Sequence, residues 1–151
     1  MMKNIDLSSV ADQLVMQLIS KGMVVQRYDA LSTNSIYIKM DYGLLNSIRI
    51  SDHGGKPHLK YRYNIGPHIH EPHTDLDQYL RRYYPIGEYE QLIKDIVTAR
   101  QDKLLTYGTN GYIRLMQSCL ESHMQNPLGF WKSASLAILE NGQIKYEREE
   151  F

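Results

Sequence analysis

The chain is poor in the residues that announce chemistry. It holds one cysteine, Cys119, in 151 residues; an intrachain disulfide and a thiolate metal cluster are therefore excluded, and a reducing, cytoplasmic setting is expected. It has no net charge, since 17 Lys and Arg balance 17 Asp and Glu. Nucleic-acid binding would then have to come from a local patch rather than a global basic excess. No apolar run is long enough to cross a bilayer. Residues 1–6 lack the positive start and apolar stretch of a secretory leader, so none is expected. Phe and Trp are scarce, at 2 and 1, but Tyr is abundant at 12. Tyrosine packs with its ring and bonds with its hydroxyl, which suits half-buried sheets and interfaces alike. The length is that of one domain with room for a core, and no repeat, low-complexity tract or linker divides it. A single domain over 1–151 is expected.

What is present is alternation. Within residues 35–63, Ile36, Ile38 and Met40 alternate with Tyr37 and Lys39, Ile48 and Ile50 flank Arg49, and Leu59, Tyr61 and Tyr63 alternate with Lys60 and Arg62. Alternation puts successive side chains on opposite faces of a sheet. The spacing predicts three strands, joined by short turns at 41–43 and 52–55 that favour antiparallel hairpins. The β-branched stretch 23–28 adds a fourth strand before a turn at 32–34, completing a four-stranded antiparallel meander. Ahead of it, Val10, Leu14, Leu18 and Ile19 recur at helical spacing, with Ser8 or Ser9 as cap and Lys21-Gly22 as stop.

Beyond the meander, 64–73 reads as a loop, with Gly66, Pro67 and Pro72 and three histidines. Thr74 or Asp75 would cap a short helix running through Tyr83. Tyr89, Leu92, Ile93, Ile96, Val97 and Leu104 form a helical stripe that ends before Gly108, and Asn110 would cap another helix with Tyr112, Leu115, Met116, Cys119 and Leu120 inward. Asn126-Pro127 would end it. Asn141-Gly142 between two apolar runs predicts a hairpin, and the charged tail 147–151 is expected to fray. The expected fold is α+β: an N-terminal helix, a four-stranded antiparallel sheet, two or three helices covering its apolar face, and a small C-terminal hairpin that extends or flanks the sheet.

Three constellations bear on function. The polar face of the predicted sheet collects Tyr37, Lys39, Arg49, Lys60 and Arg62, with Lys56 at a turn. Summed positive charge beside an aromatic plane suits phosphate and base together. Carboxylates on a partner protein would satisfy the same cations, and a solvated outer face that blocks edge aggregation needs no partner at all. Asp52 beside His53 invites a catalytic reading, with the carboxylate orienting the imidazole. However, strand neighbours point to opposite faces, Gly-x-Ser-x-Gly is absent, and Cys119 lies on an apolar stripe, so turn geometry is the expected role of this pair. The third group is His68, His70 and His73, with Glu71, His58 and His53 nearby. His-x-His on an extended segment places two imidazoles on one side, where a divalent metal could bind and acidify a water, with Asp75 and Asp77 supporting the ligands. Arg81-Arg82-Tyr83-Tyr84-Pro85 either extends the basic face or packs a helix corner.

The order of these motifs resembles that of small uncharacterised proteins of phages and prophages. It is carried by Tyr37-x-x-x-Asp41-Tyr-Gly43, Ser47-Ile-Arg-Ile-Ser-Asp-His53, Gly55-Lys56, the stretch 59–64, the Tyr83-Tyr84-Pro85 step, the helix from Leu92 to Lys103, and Tyr107-Gly108 followed by Gly111-Tyr112. A looser similarity of strand-then-helix layout, with a related Arg-x-Ser-Asn-His step, extends to phage inhibitors of CRISPR nucleases and carries no residue roles. The resemblance implies a mobile-element accessory protein that acts by binding, in the host cytoplasm. The expected function is then a non-enzymatic binding protein that engages nucleic acid, or a host protein handling nucleic acid in defence. Tyr37, Lys39, Arg49, Lys56, Lys60 and Arg62 would make the contact, Asp52 and His53 would shape the turn, and no cofactor or membrane would be involved. The alternatives are a metal-dependent hydrolase centred on His68, His70 and His73, and a self-associating structural protein using tyrosine-rich surfaces.

Overall fold

A computed structural model describes residues 6–30, 35–51, 62–66, 79–125 and 134–148. Helix α1 spans Leu7–Ser20. Its cap is Asp6 rather than Ser8 or Ser9: Asp6 accepts hydrogen bonds from the Ser8 and Ser9 amides and from the Ser9 hydroxyl at 2.8 Å. A carboxylate satisfies orphan amides and also favours the positive end of the helix, which makes it the better cap here. Leu7, Ala11, Leu14, Val15 and Leu18 are buried along one stripe. The helix stops as expected at Lys21-Gly22, where Gly22 adopts φ 90°.

Among the described residues seven strands form one antiparallel sheet: β1 Val25–Asp29, β2 Ser35–Met40, β3 Ser47–Ser51, β4 Arg62–Gly66, β5 Tyr83–Pro85, β6 Ser135–Glu140 and β7 Gln143–Arg148. Their order is β5-β4-β3-β2-β1-β6-β7. The expected meander lies at the centre, with its fourth strand running on to Gly66 into the stretch 64–73 expected to be a loop, and both of its edges are extended. At one edge, β6 pairs with β1 and carries β7. Asn141 and Gly142, at φ 52° and 76°, make the tight turn between them, as the Asn-Gly step requires. At the other edge, β5 pairs with β4, Tyr84 opposite Tyr63. The four-strand expectation therefore fell short. A three-residue strand is too short to show a period, and the β6–β1 pairing joins segments far apart in sequence. Tyr83 belongs to this strand and not to the end of a helix. Glu147 and Arg148, expected to fray, pair with Leu136 and Ser135.

Helix α2 runs over Tyr89–Gln125 and contains a break at Gly108, φ 74° and ψ 161°. The two expected helical stretches are thus one long element interrupted at that glycine, in a conformation essentially closed to other residues. The capped helix from Thr74 or Asp75 falls on residues outside those described, as does the Asn126-Pro127 stop.

The core forms between the helices and the inner sheet face. Val25, Ile36, Ile38, Met40, Ile48, Ile50, Tyr63, Ile65 and Tyr84 from the strands meet Leu14, Val15 and Leu18 of α1 and Leu92, Ile96 and Ala99 of α2, all buried. Burial of each large apolar side chain contributes about 1.5–3 kcal/mol. The aliphatic face of the predicted strands is therefore covered, and on the opposite face Gln26, Ser35, Lys39 and Ser51 are buried as well. Among the described residues no helix is long and apolar enough to cross a membrane.

Candidate nucleic-acid interface

The antiparallel register fixes which residues share the outer face. Tyr28 stands opposite Tyr37, Tyr37 opposite Arg49, Arg49 opposite Asn64, and Asn64 opposite Tyr83. Cross-strand partners point the same way, so these five positions form one row across β1–β5. At about 4.8 Å per strand, the row is about 19 Å long. The rings of Tyr28 and Tyr37 lie 6.4 Å apart, tilted by 42°. The Arg49 guanidinium carbon is 5.7 Å from the Tyr37 ring centroid, within cation–π range. Nε and Nη2 of Arg49 donate to the Ser35 hydroxyl at 3.4 and 3.3 Å. Tyr83, at the sheet edge, is 49 % exposed.

The structure brings Tyr37 and Arg49 together as expected from alternation, but it does not leave Lys39 open. Lys39 is on the outer face, between Gln26 and Ser47 in register, and is 2 % exposed. Alternation assigns a face; it does not show whether that face is covered. Among the described side chains of that expected basic plane, Lys39 is buried and Arg49 is half-buried. Arg62 stands opposite Ser51 in the β3–β4 ladder. Asp52, His53, Lys56 and Lys60 lie outside the described residues, as do His68, His70 and His73. Among the described residues no three His, Cys, Asp or Glu side chains converge as a metal site.

The Arg81–Pro85 stretch divides its roles. Tyr84 is buried and donates to Asp95 of α2 at 2.7 Å; burial, reinforced by Asp95, pushes its phenol up to about 12. Arg81 pairs with Glu88 at 3.1 Å. Arg82 and Tyr83 remain exposed and line a surface cavity of about 260 Å³ with Pro85. Tyr84 packs from strand β5 against α2 rather than in a corner between two helices, and Tyr83 continues the outer row.

Two polar clusters escaped sequence reasoning. The first is Arg27, on the inner face of β1 and 7 % exposed. Nε donates to Asp29 at 2.8 Å. Nη1 donates to Asp12 at 2.7 Å and Tyr146 at 2.8 Å, and Nη2 to Ser8 at 3.1 Å and Asp29 at 3.2 Å. A guanidinium has five N–H donors, and all are used. Burial works against the Arg27 charge, but the Asp29 and Tyr146 hydrogen bonds outweigh it and its proton is held more tightly than usual. The cluster ties α1 to β1 and β7 beside a cavity of about 570 Å³ that Ser135 and Arg148 help to line. A signal existed: alternation with Val25 puts Arg27 on the apolar face, where a charge needs a counterion.

The second cluster centres on Asp41, fully buried. Its carboxylate accepts from the Val24 amide at 2.9 Å, from Arg100 Nε at 2.8 Å and from the Tyr112 hydroxyl. Burial and the Asp41 charge together raise the Tyr112 phenol well above its ordinary value. Lys103 Nζ donates to the Leu44 carbonyl at 2.7 Å. These bonds fasten α2 to the turn after β2.

Comparison with protein-family models, curated proteins and solved structures returned no match. Function must be argued from the site itself.

Proposed function

We propose that this chain is a non-enzymatic binding protein that takes single-stranded nucleic acid across the outer face of its sheet. The observation that carries the reading is the register-aligned row Tyr28, Tyr37, Arg49, Asn64, Tyr83, with a guanidinium over one ring. Aromatic platforms stack bases regardless of sequence, and arginine adds charge for phosphate. A row of this length suits about three nucleotides laid across the strands, the mode in which open sheets engage single strands. Stacking on aromatic side chains takes unpaired, splayed bases, which a duplex does not present. The resemblance of its motifs to phage and prophage proteins is the ground for proposing a mobile-element accessory role.

Fluorescence anisotropy with labelled oligonucleotides of about 12 nucleotides tests this. Tyr37→Ala is expected to weaken single-strand binding roughly tenfold, from the about 1–3 kcal/mol that one stacked base contributes. With only a few cations on the face, the logarithmic salt slope is expected to be shallow, about −2. Duplex of the same length should bind more weakly. Failure of every DNA and RNA to bind at low salt overturns the reading, and leaves a carboxylate-bearing protein as the class of partner that Arg49 would fit.

A further inference from the structure

Three arginines are buried or half-buried among the described residues: Arg27, Arg49 and Arg100. Two are neutralised internally. Arg27 meets Asp12 and Asp29 at 2.7 and 2.8 Å, and Arg100 meets Asp41 at 2.8 Å. Arg49 meets no carboxylate among the described residues. Its hydrogen-bond partner there is the Ser35 hydroxyl, at 3.3–3.4 Å, the long end of hydrogen-bond geometry. Ser35 lies directly opposite Ser51. The Ser51 hydroxyl oxygen is buried and finds no hydrogen-bond partner among the described residues, and its residue is only 1 % exposed. A partly desolvated cation and an unsatisfied buried hydroxyl each cost free energy, and here they share one face two residues apart.

We infer that Arg49, Ser35 and Ser51 form a subsite for one phosphate group, beside the Tyr37 ring. This deepens the nucleic-acid reading and rests on it for the identity of the ligand. The guanidinium presents two parallel N–H groups to two phosphate oxygens, the fork geometry that arginine offers. The Ser35 hydroxyl accepts from Arg49 and keeps its own proton to donate, and the Ser51 hydroxyl opposite it has a proton to donate as well, so each can give one hydrogen bond to the remaining phosphate oxygens. The ring of Tyr37 then lies where the base of the same nucleotide can stack. A phosphate without a base is held by the same charge and hydroxyls, so inorganic phosphate, a nucleoside monophosphate and an oligonucleotide backbone share this chemistry.

The test is an amide chemical-shift titration of the full chain with inorganic phosphate, with chloride at matched ionic strength as control. Adenosine 5′-monophosphate and an oligothymidylate serve as parallel arms. Phosphate is expected to move the amides around Ser35, Arg49 and Ser51, and adenosine 5′-monophosphate to bind severalfold more tightly than phosphate. Arg49→Gln should abolish both responses. Ser51→Ala should weaken phosphate binding severalfold while leaving the melting temperature unchanged or higher by about 2–4 °C, because it deletes an unsatisfied buried hydroxyl. Ser51→Ala is thus the variant that folds whichever way the result falls. Phosphate that moves no amide beyond the chloride control, or binding that survives either substitution at full strength, overturns the subsite. If the oligothymidylate binds while phosphate does not, the subsite fails and the single-strand reading stands. If phosphate binds and no oligonucleotide does, the subsite stands and the single-strand reading fails.

Discussion

Asp41→Asn isolates a fully buried carboxylate that three donors share. Asp41 occupies a left-handed backbone position, φ 51°, which asparagine tolerates nearly as well as aspartate. The substitution is close to isosteric, so shape and backbone are unchanged and only charge and acceptor count differ. In the wild-type chain one carboxylate oxygen accepts from the Val24 amide, and the other accepts from Arg100 and Tyr112. An amide group cannot satisfy both sides. In one orientation its NH2 faces the Arg100 and Tyr112 donors, and in the other it faces the Val24 N–H. With a side chain 0 % exposed, water cannot relieve either clash, and Arg100, 19 % exposed, loses its counterion. Breaking one half of a buried pair costs about 3–5 kcal/mol, a large share of the roughly 5–15 kcal/mol that holds a domain together. Urea unfolding followed by far-ultraviolet circular dichroism should show a midpoint lower by roughly 2 M with the slope unchanged. Tyr112→Phe removes one donor and leaves Asp41 two partners, so it should cost about 1–2 kcal/mol. Because the two residues share a bond, the double variant should cost less than the sum by at least about 0.5 kcal/mol. An Asp41→Asn midpoint equal to wild type would refute the argument.

Two further outcomes follow from buried groups. Arg27→Met should destabilise by about 2–3 kcal/mol, below the cost of a fully buried pair, because Asp12 and Asp29 are 52 % and 57 % exposed and can rehydrate; Arg27→Lys should not rescue it, since one ammonium lacks the fork that spans both carboxylates. Calorimetry on both variants checks this, and equal stability of the Lys variant and wild type would sink it. The phenols of Tyr84, Tyr89 and Tyr146 are pushed up to about 12, in each case chiefly by burial. Above pH 10 the unfolded chain releases phenol protons that the fold retains, so the unfolded state binds fewer protons and stability falls as pH rises. Between pH 10 and 12 the loss should approach about 1.4 kcal/mol per pH unit for each such phenol, with little contribution from them below pH 10. Thermal midpoints across that window measure it, and a flat profile contradicts it.

Local pattern was enough for much of the frame. Alternation at Ile36–Met40 and Ile48–Ile50 placed two central strands and their buried face. Asn141-Gly142 marked a hairpin whose turn needs two left-handed residues, and Gly108 marked the break in α2. What local pattern lacks is neighbourhood. Nothing near Ser135 shows that it will pair with Arg27, and β5 is too short to carry a period. The same limit governs the site. Lys39 and Arg49 look alike in sequence, each a cation alternating with aliphatics, yet Lys39 is 2 % exposed and Arg49 lies over Tyr37. Asp41 reads as an ordinary turn residue until α2 delivers Arg100 and Tyr112 to it.

One part of the difference between the structural and the candidate functional arginine is nonetheless written locally. On a strand, residues i and i+2 share a face. Arg27 is followed at that offset by Asp29, and the two are ion-paired. Arg49 is followed at the same offset by Ser51, which offers a hydroxyl and no charge. If the identity of that residue decides whether the guanidinium is spent internally, Ser51→Asp should convert Arg49 into a second Arg27. The new carboxylate would take the guanidinium in two parallel bonds and repel phosphate, and single-strand binding should fall at least tenfold, the effect of about 1.4 kcal/mol. Ser51→Asn, equal in size and neutral, should retain binding and separates charge from bulk. Both variants can be run in the anisotropy assay beside their circular dichroism spectra. A Ser51→Asp protein that is folded and binds oligonucleotide as tightly as wild type would mean that Arg49 does not contribute its charge to the ligand, and the subsite built on it would have to be abandoned.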